Sequence, residues 1–339
     1  MGATIMLNAY LQHAVANNIC SASVVSAITA LSDAAQHIAG LAARTGLANS
    51  DFGALAGSSN SDGDDQKALD VLADTDITAR LKQAGAAIYL SEEQDTPILL
   101  NPDGDILVAA DPLDGSSNID TNLTIGTIFS IYPAPEIGAD ATSVDEAACL
   151  ISGREQLAAG FFVYGPQTGL LLTLGDGVAF FVLDADGVFQ KTDWVPDIPA
   201  AYPEFAMNMS NKIFWPEAVS AYIAGLQAGK LGPAGKQYNM KWCASLVADA
   251  FRIFRRGGIF LYPQDSRPNY EEGRLRLIYE AHPIAFLVEQ AGGRATDGTT
   301  PIMDKIADSL HARTPFIFGS ADEVTLYESV YQTGQFPTD

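Results

Sequence analysis

Residues 158–183, AAGFFVYGPQTGLLLTLGDGVAFFVL, form the most apolar stretch of the chain, and Gly, Pro and Asp interrupt it at strand-length intervals. A helix crossing a bilayer needs about 20 mostly apolar residues without such breaks, so the stretch reads as consecutive buried strands rather than a membrane span. The runs TIFSIY, GFFVYG, LLLTL and AFFVL, separated by turn residues between 124 and 190, extend the pattern. They predict a largely antiparallel or mixed sheet. Helical spacing flanks this block. Val24, Ile28, Leu31, Ile38 and Leu41 predict a helix over 23–43, and residues 65–85 predict a second, closed by Gly85. After a Pro-rich patch at 194–205 come two helices (PEAVSAYIAGLQ and SLVADAFRIFRR), the strand GGIFLYP and the polar loop QDSRPNYEEGR. The strand LRLIYE, the helix PIAFLVEQAGG and the strand TPFIFG follow. The fold class is mixed α/β with layered sheets, and the patch suggests domains at 1–197 and 198–339.

The 41 acidic residues against 19 basic ones give a formal charge of −22. Such a surface repels nucleic-acid backbones and anionic membranes and favours divalent cations as partners. Cys20, Cys149 and Cys243 are widely spaced without a CxxC pair, which fits a reducing, cytoplasmic setting rather than a disulfide framework. The beginning of the chain, MGATIMLNAYLQHAV, lacks the basic residues of a secretory signal or transit peptide.

Two stretches suggest phosphatase chemistry. In FVLDADGVF, Asp184 and Asp186 could serve as nucleophile and acid/base of an aspartyl-phosphate mechanism. Embedded among strands, however, the DADG stretch reads better as a hairpin turn between AFFVL and VFQKT. The second is an acidic set, Asp64, Asp70, Glu92, Glu93, Asp111, Asp114 and Glu280, several of which end apolar strands. AAIYL runs into SEE, and DILVAA into DPLDGSS, which points to a site at the carboxyl edge of a sheet. Gathered carboxylates repel unless cations neutralise them, and hard oxygen ligands suit Mg²⁺ or Mn²⁺. Directly after Asp114, Gly115-Ser116-Ser117 can turn backbone N–H groups and hydroxyls toward an anion.

SEE followed by DPLDGSSNID resembles the lithium-sensitive, metal-dependent phosphatase superfamily. With GDDQKALDV before, and GGIFLYP, LRLIYE and SLHARTPFIFGS after, the chain is similar from about Ser23 to about Val330 to the class I fructose-1,6-bisphosphatase family. The resemblance implies a five-layer α/β/α/β/α fold with two mixed sheets, assembled as a homotetramer. It implies Glu92, Asp111, Asp114, Glu280 and the Leu113 carbonyl as metal ligands, and Asp70 and Glu93 as the acids activating water. Asp64 is expected to pair with Arg276 and order the loop carrying the metal site. Asp114, Gly115, Ser116 and Ser117 match the 1-phosphate cradle, and Asn208, Tyr262 and Arg274 fall at substrate positions. Lys241-Trp242 stands where better-known members have Arg-Tyr at the 6-phosphate, and Asn211 where a tyrosine is common. Asp105-Ile106 and Pro133 replace the cationic residues of the animal AMP site, so no animal-type AMP inhibition is expected. The activity implied is hydrolysis of fructose 1,6-bisphosphate. The alternatives are a sedoheptulose-1,7-bisphosphatase, a dual-specificity enzyme, or a non-catalytic metal- or phosphate-binding regulator. Cys149 reads as a structural thiol, and His282 as a helix-start or packing residue.

Overall fold

The computed structural model describes residues 5–45, 47, 55–59, 65–138 and 140–337. The apolar block forms the centre of an eight-stranded sheet. Its strands lie in the order Phe189–Lys191, Val178–Leu183, Thr168–Thr173, Ala158–Tyr164, Ile125–Pro133, Ile106–Asp114, Ile88–Ser91 and Ile98–Leu99. All pairings are antiparallel except that of Ile88–Ser91 with Ile106–Asp114, which is parallel. Because side chains alternate across a strand, Phe161 and Phe162 serve different cores.

One core lies under the helices Leu7–Ala16, Ala22–Ala42 and Ala68–Ala84, which cover the outer face of this sheet. On the other face, Leu246–Arg256 and His282–Gln290 fill the space before a second sheet. That sheet is mixed, in the order Asn239–Met240, Glu204–Ala206, Ile259–Tyr262, Phe316–Gly319, Arg294–Thr296. Helices Glu217–Gln227 and Ala321–Thr333 close its far side over a third core. The result is five layers, α/β/α/β/α, as expected.

The local departures have physical causes. The second predicted helix starts at Ala68, not 65, because residues 65–67 pair antiparallel with 55–59. Its buried i+4 stripe, Leu69, Ala73, Ile77 and Leu81, begins only at Leu69. LRLIYE is a strand only at Leu275–Arg276 and then winds through a π-helical turn, Leu277–Ala281. That turn runs into the helix beginning at His282, where Pro283 in the first turn needs no N–H partner. Helices Leu7–Ala16 and Ala321–Thr333 go beyond the elements read from the sequence. Each buries only a narrow apolar stripe: Leu7, Leu11 and Ala14 in one, Val324, Tyr327 and Val330 in the other. The DADG stretch is the hairpin turn expected. Leu183 pairs with Phe189, and the Asp184 carboxylate accepts the N–H groups of Asp186 and Val188. The Val188 N–H and the Gln190 amide, with a smaller part from the Asp186 N–H, hold its carboxyl below the usual range.

Candidate active site

The one parallel strand pair places two acidic loops side by side. Ser91 pairs with Ala110, and the Glu92 N–H continues the ladder to the Ala110 carbonyl at 3.1 Å. SEE and DPLD therefore leave the same sheet edge. In a regular strand, Asp111 and Asp114 would face opposite sides, since the side-chain period is two. Here the pairing with Ile125–Pro133 slips between them. Asp111 accepts the Leu113 N–H at 2.9 Å, and the Thr127 hydroxyl donates to the Pro112 carbonyl at 2.8 Å. A bulge of this kind re-aims side chains next to a site, and both aspartates line one cavity. Gly115 then takes a left-handed φ of 76° to enter a 3₁₀ turn at Ser116–Asn118. A Cβ there would lie 3.1 Å from the Ser245 Cβ.

Glu280 enters from the other half of the chain. The Arg276 N–H donates to its Oε2 at 2.6 Å across the π turn. Carboxylate oxygens of Asp111, Asp114 and Glu280 lie within 4.8 Å of one another, all three residues buried. Asp114 sits against the start of helix Leu246–Arg256, accepting the Ser245 hydroxyl at 3.0 Å and the Val247 N–H at 2.9 Å. A helix N-terminus favours such an anion.

Burial and mutual repulsion dominate the electrostatics. Loss of water, then Glu280 and Glu93, drive the Glu92 carboxyl well above its ordinary range. Burial, then Glu92 and Asp114, do the same to Asp111. Glu280 is pushed up to about 7 by burial and by Asp114, although its bond from Arg276 pulls the other way. Burial also raises Asp114 despite the helix donors. Arg276, 3.5 Å from Glu92, drops to about 10 because it is buried and faces Arg313. The acids repel as a set, and they offer only hard oxygens. A divalent cation fits that donor set.

These groups line a cavity of about 580 Å³, which falls in the range of small-ligand sites. It brings together Asp70, Glu92, Glu93, Asp111, Leu113, Asp114, Arg276 and Glu280 from the expected catalytic and metal sets. From the expected substrate set it gathers Gly115, Ser116, Ser117, Asn208, Trp242, Tyr262 and Arg274. Asn211 is buried in an adjoining recess that shares Asn208 and Tyr262. Lys241 is exposed and does not line the cavity. Asp64 lies outside the described residues.

Three polar lining residues go beyond the sequence reading: Ser245, Arg267 and Arg313. A serine before the apolar period of SLVADAF is an N-cap signal, and Ser245 does cap, accepting the Ala248 N–H. That it also holds Asp114 depends on a contact across 131 positions. Arg267 sits in a polar loop without a periodic signal. Arg313 is placed by pairing with Arg276.

Buried acids that fit a cation, a turn able to receive phosphate and an arginine wall together define a metal-dependent phosphatase. The comparisons make the class specific. The family model for the fructose-1-6-bisphosphatase N-terminal domain matches residues 10–194, and that for the C-terminal domain matches 198–332. The chain is 49% identical over 329 residues to a class 1 fructose-1,6-bisphosphatase of Azorhizobium caulinodans, covering 96% of this chain and 99% of that one. It is 50% identical over 313 residues to the enzyme of that name from Acidiphilium cryptum, covering 92% and 86%. Among solved structures, the holo form of Leishmania major fructose-1,6-bisphosphatase superposes with a TM-score of 0.87 at 32% identity, covering 97% and 99%. The chain belongs to the fructose-1,6-bisphosphatase family.

Proposed function

We propose that the chain removes the 1-phosphate of fructose 1,6-bisphosphate, giving fructose 6-phosphate and phosphate. One observation carries the reading: buried carboxylates from both halves of the chain meet within 4.8 Å in a cavity that also holds four arginines. One wall suits cations and the other suits phosphate, the pairing needed for metal-assisted phosphoryl transfer.

In this reading Asp111, Asp114, Glu280, Glu92 and the Leu113 carbonyl hold divalent metal, Mg²⁺ in first place and Mn²⁺ as a substitute. Such a cation supplies positive charge against the phosphate oxygens and makes water a better acid. The chain's own residues do the rest. Asp70, 3% exposed, and Glu93 at the cavity edge take the proton of the attacking water. The 115–117 turn receives the 1-phosphate, and its left-handed glycine keeps the approach open. Asn208, Tyr262, Trp242 and Arg274 surround the sugar, with Asn211 behind Tyr262. Lys241, exposed just after strand Asn239–Met240, is positioned to act only if another copy of the chain supplies it; a homotetramer in the cytoplasm completes the proposal. Arg276 keeps the role of ordering the metal loop through Asp64. Metal and 1-phosphate ligands belong mostly to a domain at 1–197, and the sugar contacts with Glu280 to one at 198–339. No helix among the described residues is long and apolar enough to cross a membrane, and the charge of −22 disfavours nucleic acid.

The test is phosphate release from fructose 1,6-bisphosphate and from sedoheptulose 1,7-bisphosphate with Mg²⁺. Faster turnover of the fructose substrate, lost in Asp114→Asn, supports the proposal. Equal or reversed preference transfers it to the seven-carbon sugar. Release from neither substrate removes the enzymatic reading in favour of a regulator. Loss of activity in Asp184→Asn with Asp114→Asn intact relocates the site.

A further inference from the structure

Of the four arginines lining the cavity, three are bound up with its acidic end. Arg276 lies 3.5 Å from Glu92, Arg274 acts on Glu280, and Arg313 faces Arg276. Arg267 differs in carrying its own counter-ion. Its Nε donates to Asp265 Oδ1 at 2.9 Å, and its Nη2 to Oδ2 at 2.6 Å. The Asp265 side chain is 1% exposed, so this anchor is fixed in the protein interior. The guanidinium plane lies over Tyr270, 4.1 Å from the ring centre, with Phe214 at 5.5 Å. The Asp265 N–H bonds to the Tyr270 carbonyl, and the Ser266 N–H to that of Phe214, so the loop holding these rings is itself pinned.

An arginine clamped on its fork and its face has lost its rotamer freedom before any ligand arrives. What it then binds costs little further ordering. The guanidinium also interacts with the Tyr262 side chain, whose ring lies 6.1 Å from that of Trp242. Both aromatics and Asn208 line the same cavity, while Lys241 does not. The side chain of Arg267 is 25% exposed, enough to meet a ligand and too little to be a free surface charge.

We propose that Arg267 is a specificity-determining residue that receives the second phosphate of the substrate, the one not hydrolysed, from within the same chain. The assignment rests on the bisphosphatase reading above. The Asp265–Arg267 pair is neutral as a unit, so it acts as an oriented donor more than as a lone cation. One charge-assisted hydrogen bond of that kind corresponds to about ten- to a hundredfold in affinity.

The experiment compares kcat/KM for fructose 1,6-bisphosphate with that for fructose 1-phosphate, in wild type, Arg267→Lys and Arg267→Gln. The double variant Asp265→Asn/Arg267→Gln is included because it leaves no buried carboxylate unpaired if the single change fails to fold. The expected result is a loss of preference for the bisphosphate of about ten- to a hundredfold, carried by KM, with Lys intermediate. Inhibition by fructose 6-phosphate, which keeps the second phosphate, weakens in parallel. An unchanged preference overturns the proposal, whether both activities persist or both fall together as loop damage would make them. Those outcomes leave wild-type bisphosphatase activity standing; its absence at the outset overturns the functional reading and this assignment with it.

Discussion

Asp74 lies one helical turn beyond Asp70 and does not line the cavity, yet it holds the loop that carries Glu92 and Glu93. Its carboxylate is buried and accepts three donors: the Ser91 hydroxyl at 2.6 Å, the Gln94 amide at 2.6 Å and the Tyr89 hydroxyl at 3.2 Å. The Ser91 oxygen in turn accepts the Glu93 N–H at 3.2 Å. Replacing Asp74 with Ala strands the Ser91 and Tyr89 donors, which are 1% and 0% exposed, while Gln94 turns to water. Each stranded buried donor costs about 1–3 kcal/mol, so the variant loses about 4 kcal/mol. An unfolding entropy of about 2.1 cal/mol/K per residue converts that into a Tm lower by about 6 °C. Asp74→Asn keeps one acceptor for Ser91 and Tyr89, and Gln94 can reverse its amide to meet the new one. Its expected loss is about 1 kcal/mol.

Thermal melting and steady-state kinetics on the same preparations test this. The Ala variant melts about 6 °C lower, and the loosened Glu93 backbone reduces kcat more than tenfold; the Asn variant stays within about 2 °C and a few-fold in kcat. Equal damage from Ala and Asn would show that the negative charge, not the acceptors, holds the loop. An Ala variant that melts with wild type would refute the argument altogether.

Gly115→Ala places a Cβ 3.1 Å from Ser245 in a left-handed conformation, a strain of about 1–2 kcal/mol. The expected outcome is a fall of kcat/KM beyond tenfold with Tm changed by only about 2 °C; wild-type kcat/KM in the variant would refute it. His282 is fully buried, its Nδ1 3.3 Å from the Tyr132 hydroxyl, and burial lowers its pKa from 6.5 to about 4. Its neutral form is therefore fully stabilising above pH 6.5. As pH falls toward 4 the unfolded chain takes up a proton that the native state refuses, at a cost of about 3 kcal/mol. Urea unfolding at pH 7 and pH 4 should show His282→Gln losing about 3 kcal/mol less than wild type over that interval. Mg²⁺ at about 100 times its dissociation constant should stabilise by about 2.7 kcal/mol, a Tm rise of about 4 °C that chelator reverses and Asp111→Asn diminishes. Identical melting curves with Mg²⁺ and with chelator would argue against metal at the acidic cluster.

How much of the molecule was legible depended on whether a feature is local. Strands interrupted by Gly and Asp announce themselves over a few residues, so the antiparallel block and the DADG hairpin could be read directly. The edge where SEE and DPLD emerge was readable too, because both motifs end apolar runs. The π turn was not. LRLIYE has the composition of a strand, and only the pull of the helix at His282 bends it after Arg276. That bend is what lets an N–H four residues back hold the Glu280 carboxylate.

The partners of the acids were the least legible feature, for a reason that bears on how the site works. Asp114 is held by Ser245 and Val247, Asp74 by Ser91 and Gln94, and Arg267 by Asp265 with Tyr270. Ser245 and Val247 reach Asp114, and Ser91 and Gln94 reach Asp74, only once segments distant in sequence meet, whereas Asp265 and Tyr270 hold Arg267 from within its own loop. The acids facing the cavity repel one another and would relax apart if their loops were free. The bulge after Asp111, the helix start behind Asp114 and the Asp74 clamp behind Glu93 keep them together. Sequence motifs thus mark the groups that meet the ligand, while the forces that hold those groups against their own repulsion arise from tertiary contacts.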